Sequence, residues 1–262
     1  MSDIIDAAAP PPITPPQESG PVQSPDIPHA VIPADELTRL VHGLYFIFLG
    51  YLAALSATVE LIIVAPVSAT IEQFVAASIR PFLFLVAGTG ILGILAGSWR
   101  LCQVRAVGRQ WRLCTRGLLV LAVLMAYLFP FFCMWRRLPD NLYLLGHMLV
   151  WMGALICHAG LLNLTMGAFG RFAGRTSMVV QSILFAWITL VLLFIPFVVI
   201  ARQLVLADTQ GVDPVRALQF FLEHLPPFMT LGLLLPFSLT LSLVWAAKDI
   251  ALRWQARGTD PS

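Results

Sequence analysis

Apolar residues in this chain neither alternate nor gather on one face. They fill whole segments of about 20 residues, separated by short polar joints rich in arginine, glycine or proline. At about 1.5 Å of rise per residue, a helix of that length matches the roughly 30 Å hydrocarbon layer of a bilayer. Six such segments stand out, at about 43–66, 82–99, 117–135, 142–169, 178–201 and 226–247. In lipid a backbone must satisfy its own N–H and C=O groups, so uncharged runs this long predict helices. The expected fold is therefore all-α: an integral membrane bundle of six transmembrane helices over residues 34–250, flanked by tails at 1–33 and 251–262. Asp35 and Glu36 suit the start of the first helix, where negative charge meets the positive end of the helix dipole. Pro130, Pro196 and Pro236 fall inside the predicted spans, which membranes tolerate when neighbours satisfy the freed carbonyls.

The fourth segment, Leu142 to Phe169, has the clearest internal order. Gly146, Gly153, Gly160 and Gly167 recur at every seventh position. A seam of that period favours left-handed packing on a neighbouring helix, and small residues let two backbones approach where no hydrophobic force drives association. At about 100° per residue, His147, Trp151, His158 and Thr165 fall together on a separate stripe. That stripe reads as interhelical hydrogen bonding, or as the lining of a cofactor, quinone or ion site. A second small-residue pattern, Gly93-xxx-Gly97, marks the second segment for close packing.

Composition agrees with the pattern. Of 262 residues, 58% are hydrophobic and 11% charged, against about 25% charged in soluble domains, too few to cover a water-facing surface. Residues 1–33 differ: nine prolines, four acidic residues and no lysine or arginine predict a disordered, partly polyproline-II tail. The net charge of +2 gives no reason to expect nucleic acid. The basic residues are unevenly placed. With six spans, eleven of the sixteen fall on the side shared by both tails and loops 2–3 and 4–5, and five on the other. The positive-inside rule then puts both termini in the cytoplasm of a cell membrane, read as a bacterial inner membrane. The most basic stretch, residues 100–116, places Arg105, Arg109, Arg112 and Arg116 on one face of a helical wheel. It reads either as a helix lying along anionic lipid headgroups or as two spans prolonged past the membrane. The acidic tail on the same side suggests an intramolecular tether to this loop.

Few residues carry recognisable chemistry. Glu60 is the one formal charge inside the first span, and an intramembrane carboxylate is a functional candidate by default. Glu60 and His147 both lie near the outer boundary, so a pair is geometrically allowed. The string Gly88-Thr89-Gly90-Ile91-Leu92-Gly93 fits a dinucleotide fingerprint, but it stands in no βαβ unit and no acidic residue occurs between Glu72 and Asp140. Membrane packing explains those glycines. Haem would require histidines on two facing helices, whereas His147 and His158 lie on one helix about 16 Å apart. Four cysteines show no CxxC spacing, and HExxH, GxSxG and P-loop motifs are absent. No cofactor or metal is expected, and no motif supplies a family resemblance. The sequence thus reads as a non-catalytic membrane subunit or accessory protein, alone as a homo-oligomer or within a membrane complex. The alternative is a small-molecule or proton pathway, or a redox site, lined by Glu60, His147 and His158.

Overall fold

The structure, a computed structural model, describes residues 32–59, 72–135, 138, 141–209 and 227–258. The proline-rich tail up to residue 31, Glu60, the turn residues Arg136, Arg137 and Asp140, and a short helix expected after Asp213 lie outside the described residues. The elements are α1 (Ala34–Val59), α2 (Glu72–Cys102), α3 (Arg109–Trp135), α4 (Leu142–Phe172), α5 (Thr176–Thr189), a π turn at Leu190–Phe194, α6 (Ile195–Thr209) and α7 (Pro227–Gly258). Among the described residues there is no strand. Six helical stretches are long and apolar enough to cross a membrane, with α5, the π turn and α6 together forming the fifth. The chain is built as a multi-pass membrane protein is built. Large apolar side chains such as Phe46, Leu49, Leu85, Val120, Ile183 and Trp187 face outward. On a water-soluble protein so much exposed apolar surface would drive aggregation; in a bilayer it faces acyl chains.

The helices pack in chain order, α1 on α2, α2 on α3, α3 on α4 and α4 on α5, and α7 closes the bundle by contacting α1, α4 and α5. α1 and α2 meet backbone to backbone, and glycine permits it. A Cβ added at Gly50 would lie 2.6 Å from the carbonyl oxygen of Gly90 and 2.7 Å from the amide nitrogen of Ile94. A Cβ at Gly97 would lie 2.7 Å from the Gly43 carbonyl oxygen, and one at Gly93 3.3 Å from the Gly50 Cα. The row on α4 lies mostly along the fifth span. Gly153 faces Phe197, Gly160 faces Thr189 and Gly167 is pressed against Ser182, while a side chain at Gly146 would meet nothing within 4 Å among the described residues.

Three departures from the expected spans have a local reason. Residues 72–81, expected as a connection, belong to α2: Glu72-Gln-Phe-Val-Ala-Ala favours helix, and this preference outweighs the proline at 81. Of the two readings of the basic stretch 100–116, the single helix does not hold, and the ends of two spans meet there. The chain leaves α2 after Cys102 and restarts at Arg109, with Gly108 at φ +118°, a conformation side chains resist. Arg105 therefore lies in a turn, off the face shared by Arg109, Arg112 and Arg116, all three exposed on the first turns of α3. In the fifth span, Pro196 lacks an N–H and its ring crowds the carbonyl one turn back. The ladder slips there by one residue, and the Ile195 N–H reaches the carbonyl of Leu190.

Candidate functional site

α4 is buried along much of its length, and two buried polar centres sit on it one turn and a half apart. The first is built on His158, which has no solvent exposure. Its Nδ1 shares a 2.7 Å hydrogen bond with the Tyr51 hydroxyl from α1, and its Nε2 a 3.3 Å bond with the Ser98 hydroxyl from α2. An imidazole with a single N–H offers one donor and one acceptor, so one hydroxyl donates to the ring and the other accepts from it. Both nitrogens are committed. The Tyr51 ring also packs against Phe237 of α7 at 6.2 Å between centroids, so four helices meet around this pair.

The second centre is Asn163, again without solvent exposure. Its Nδ2 donates to Thr240 Oγ1 of α7 at 3.0 Å and to Thr189 Oγ1 of α5 at 3.4 Å. Each threonine spends its one hydroxyl proton on its own helix, Thr189 on the Phe185 carbonyl and Thr240 on the Pro236 carbonyl, both at 2.8 Å. Both oxygens accept from the Asn163 NH₂, and the amide oxygen is turned away from them. The Asn163 Oδ1 is buried and has no partner among the described residues.

The stripe expected on α4 thus divides into four environments. His147, half-buried, donates its Nδ1–H to the Tyr143 carbonyl at 2.8 Å and lies over Phe131 at 4.5 Å. Trp151 is buried and stacked on Phe132 at 4.9 Å, its indole N–H unpartnered. His158 makes the ties just described. Thr165 returns its hydroxyl to the Leu161 carbonyl at 2.8 Å. The structure brings none of the other three to His158, and Glu60 lies outside the described residues. Thr189 and Thr240, which by depth alone could have served His158, serve Asn163 instead. Tyr51, Ser98 and Asn163 carry the centres and were not singled out by sequence. Asn163 had a signal, being one of two asparagines in the chain and the one within an uncharged span. Tyr51 had none among so many aromatic residues.

The ends of the helices hold the remaining charge. Glu36 Oε2 accepts the backbone N–H groups of Arg105 and Ala106, each at 2.9 Å, pinning the turn between α2 and α3 to the start of α1. Arg171 Nη2 donates to Gln110 Oε1 at 2.7 Å, joining α4 to α3 at the same end. Lys248 is buried, its ammonium 3.0 Å from the centre of the Trp245 ring and 3.1 Å from Asp249 Oδ1. A cation over an indole face keeps part of its solvation when withdrawn from water. Among the described residues, no three His, Cys, Asp or Glu side chains gather as a metal-binding group, and no disulfide joins the cysteines. No protein-family model, curated protein or solved structure matches the chain.

Proposed function

We propose that this chain is a non-catalytic subunit or accessory protein of a cell membrane, its two ends on the cytoplasmic side. The observation that carries the reading is the closure of the His158 centre. Both ring nitrogens are taken by hydroxyls of α1 and α2, so the histidine ties helices together and presents no free nitrogen to a substrate or metal. The exposed arginines support the sidedness. Arg100, Arg105, Arg109, Arg112, Arg116, Arg171, Arg175 and Arg253 collect at the end of the bundle where Glu36 meets the α2–α3 turn. Such a rim attracts anionic headgroups and is held inside by the rule that positive loops are retained. A bacterial inner membrane is the setting proposed.

The test is affinity purification of the full chain in mild detergent, with protein and pigment content measured together. A stoichiometric partner protein, or a defined homo-oligomer, supports the reading. A monomer carrying a Soret or flavin band, or one that moves protons or solutes when reconstituted alone, overturns it.

A further inference from the structure

A groove of about 590 Å³ lies on the outward face between α4 and the fifth span. Two features open it. Gly160 has no side chain, and the nearest atom to a Cβ there would be Thr189 Cγ2 at 4.0 Å. On the facing span, Leu190 and Phe194 of the π turn stand in the groove wall, and such turns recur at functional sites. The walls are almost wholly apolar, and no charged side chain lines them.

The groove has a charged end. Val150, Cys157, Leu164 and Arg171 follow one another at every seventh position of α4, and all four are exposed. Cys157 and Leu164 line the groove, so Arg171 continues the same stripe two turns farther on. The facing wall does likewise: Val180 and Thr176, both exposed, precede Ile183 on its face of α5 by three and seven residues. Arg175 is exposed in the turn between the two helices, next to Thr176. Arg171 donates from Nη2 to Gln110, a neutral partner, and its guanidinium has further N–H groups to offer. Among the described residues no carboxylate pairs with Arg171 or Arg175; Asp35 is held by Arg39 and Asp249 by Lys248. The depths also fit. At 1.5 Å per residue, Leu164 lies roughly 10 Å below Arg171 and Ile156 roughly 22 Å below it. One leaflet has about 5–7 Å of headgroup region above about 15 Å of hydrocarbon. With Arg171 among the headgroups, the groove receives the lower part of an acyl chain from that leaflet.

We propose that the groove, with Arg171, Arg175 and Thr176 above it, is a site for one anionic phospholipid of the leaflet on the arginine-rich side. One acyl chain fills the groove between α4 and the fifth span, and the phosphate-bearing head meets the two arginines. Cations standing over an apolar slot that opens to acyl chains select an amphiphile over a soluble anion. The assignment rests on membrane residence and not on the accessory role proposed above, so either can fail alone.

Trp187, 60% exposed in the groove wall, supplies the readout. The full chain is reconstituted in phosphatidylcholine vesicles with a rising fraction of phosphatidylglycerol brominated toward the ends of its acyl chains. A parallel series uses phosphatidylcholine brominated at the same carbons. The phosphatidylglycerol is expected to quench tryptophan fluorescence saturably, at a fraction at least about fivefold below the phosphatidylcholine, the factor one basic residue near an anionic headgroup supplies. Trp187→Phe removes the saturable component. Arg171→Gln with Arg175→Gln raises the phosphatidylglycerol to the fraction of the phosphatidylcholine. Arg100→Gln with Arg105→Gln, on α2 and the turn after it, leaves the difference intact. Gly160→Leu, which fills the groove, abolishes saturation for both lipids. If Gly160→Leu does not fold, the two arginine pairs still decide, since all four side chains are exposed. Equal fractions for the two lipids in the wild type, the same loss in both arginine pairs, or quenching that only follows the bromine content of the bilayer overturns the proposal.

Discussion

Replacing Gly50 with alanine adds one methyl group where the backbones of α1 and α2 meet. The new carbon would stand 2.6 Å from the Gly90 carbonyl oxygen, about 0.8 Å short of the 3.4 Å at which ordinary contact begins. The atoms it meets are backbone, so no rotamer change relieves the clash; α1 and α2 must separate. A gap of 0.5–1 Å forfeits about a quarter to a half of the dispersion between facing atoms, and overpacked positions cost about 1–3 kcal/mol. Alanine's better helix propensity returns up to about 1 kcal/mol, leaving a net loss of up to about 2 kcal/mol. Gly146→Ala is the control: the same propensity gain applies, and the methyl group meets nothing within 4 Å. The assay is equilibrium unfolding in mixed micelles with rising SDS, followed by circular dichroism. Gly50→Ala should unfold at clearly lower SDS than wild type, and Gly146→Ala at equal or higher SDS. Separation of α1 also draws Tyr51 from His158, so the loss in Gly50→Ala combined with Tyr51→Phe should be less than the sum of the two. Should Gly50→Ala and Gly146→Ala unfold together, the close approach of α1 and α2 is wrong.

Tyr51→Phe removes the hydroxyl at His158 Nδ1 and leaves a buried ring nitrogen unpaired, which should cost about 1–3 kcal/mol in the same titration; an unchanged midpoint would refute the tie. Thr240→Val takes away the shorter of the two bonds accepted from Asn163 and should destabilise by a similar amount, whereas Ser238→Ala, at an exposed hydroxyl on the opposite side of the helix, should be neutral. Glu36→Ala frees the Arg105 and Ala106 amides, so limited trypsin digestion of reconstituted protein should cut at Arg105 several-fold faster than in wild type; equal cleavage would mean the carboxylate does not hold the turn.

The number and identity of the spans were legible in the sequence because bilayer residence is a local property. Each segment such as 117–135 must satisfy its own backbone and match one thickness of lipid, and its composition announces that without reference to any neighbour. Boundaries were less so, since the break at 103–108 depends on one glycine and on Glu36 reaching it from α1. Pairing was not legible at all. A seven-residue spacing shows that a glycine row exists, but which helix it meets, and that Gly146 meets none, depends on how helices are arranged around it. The same limit applied to the polar groups. Periodicity placed His147, Trp151, His158 and Thr165 on one stripe, yet a stripe spanning five turns touches different neighbours at each level. The hydrogen-bonding groups that answer His158 come from residues 107 and 60 positions away in the chain. Hydropathy selects the solvent for each segment alone, whereas a buried donor or acceptor is matched only by what the folded bundle sets against it.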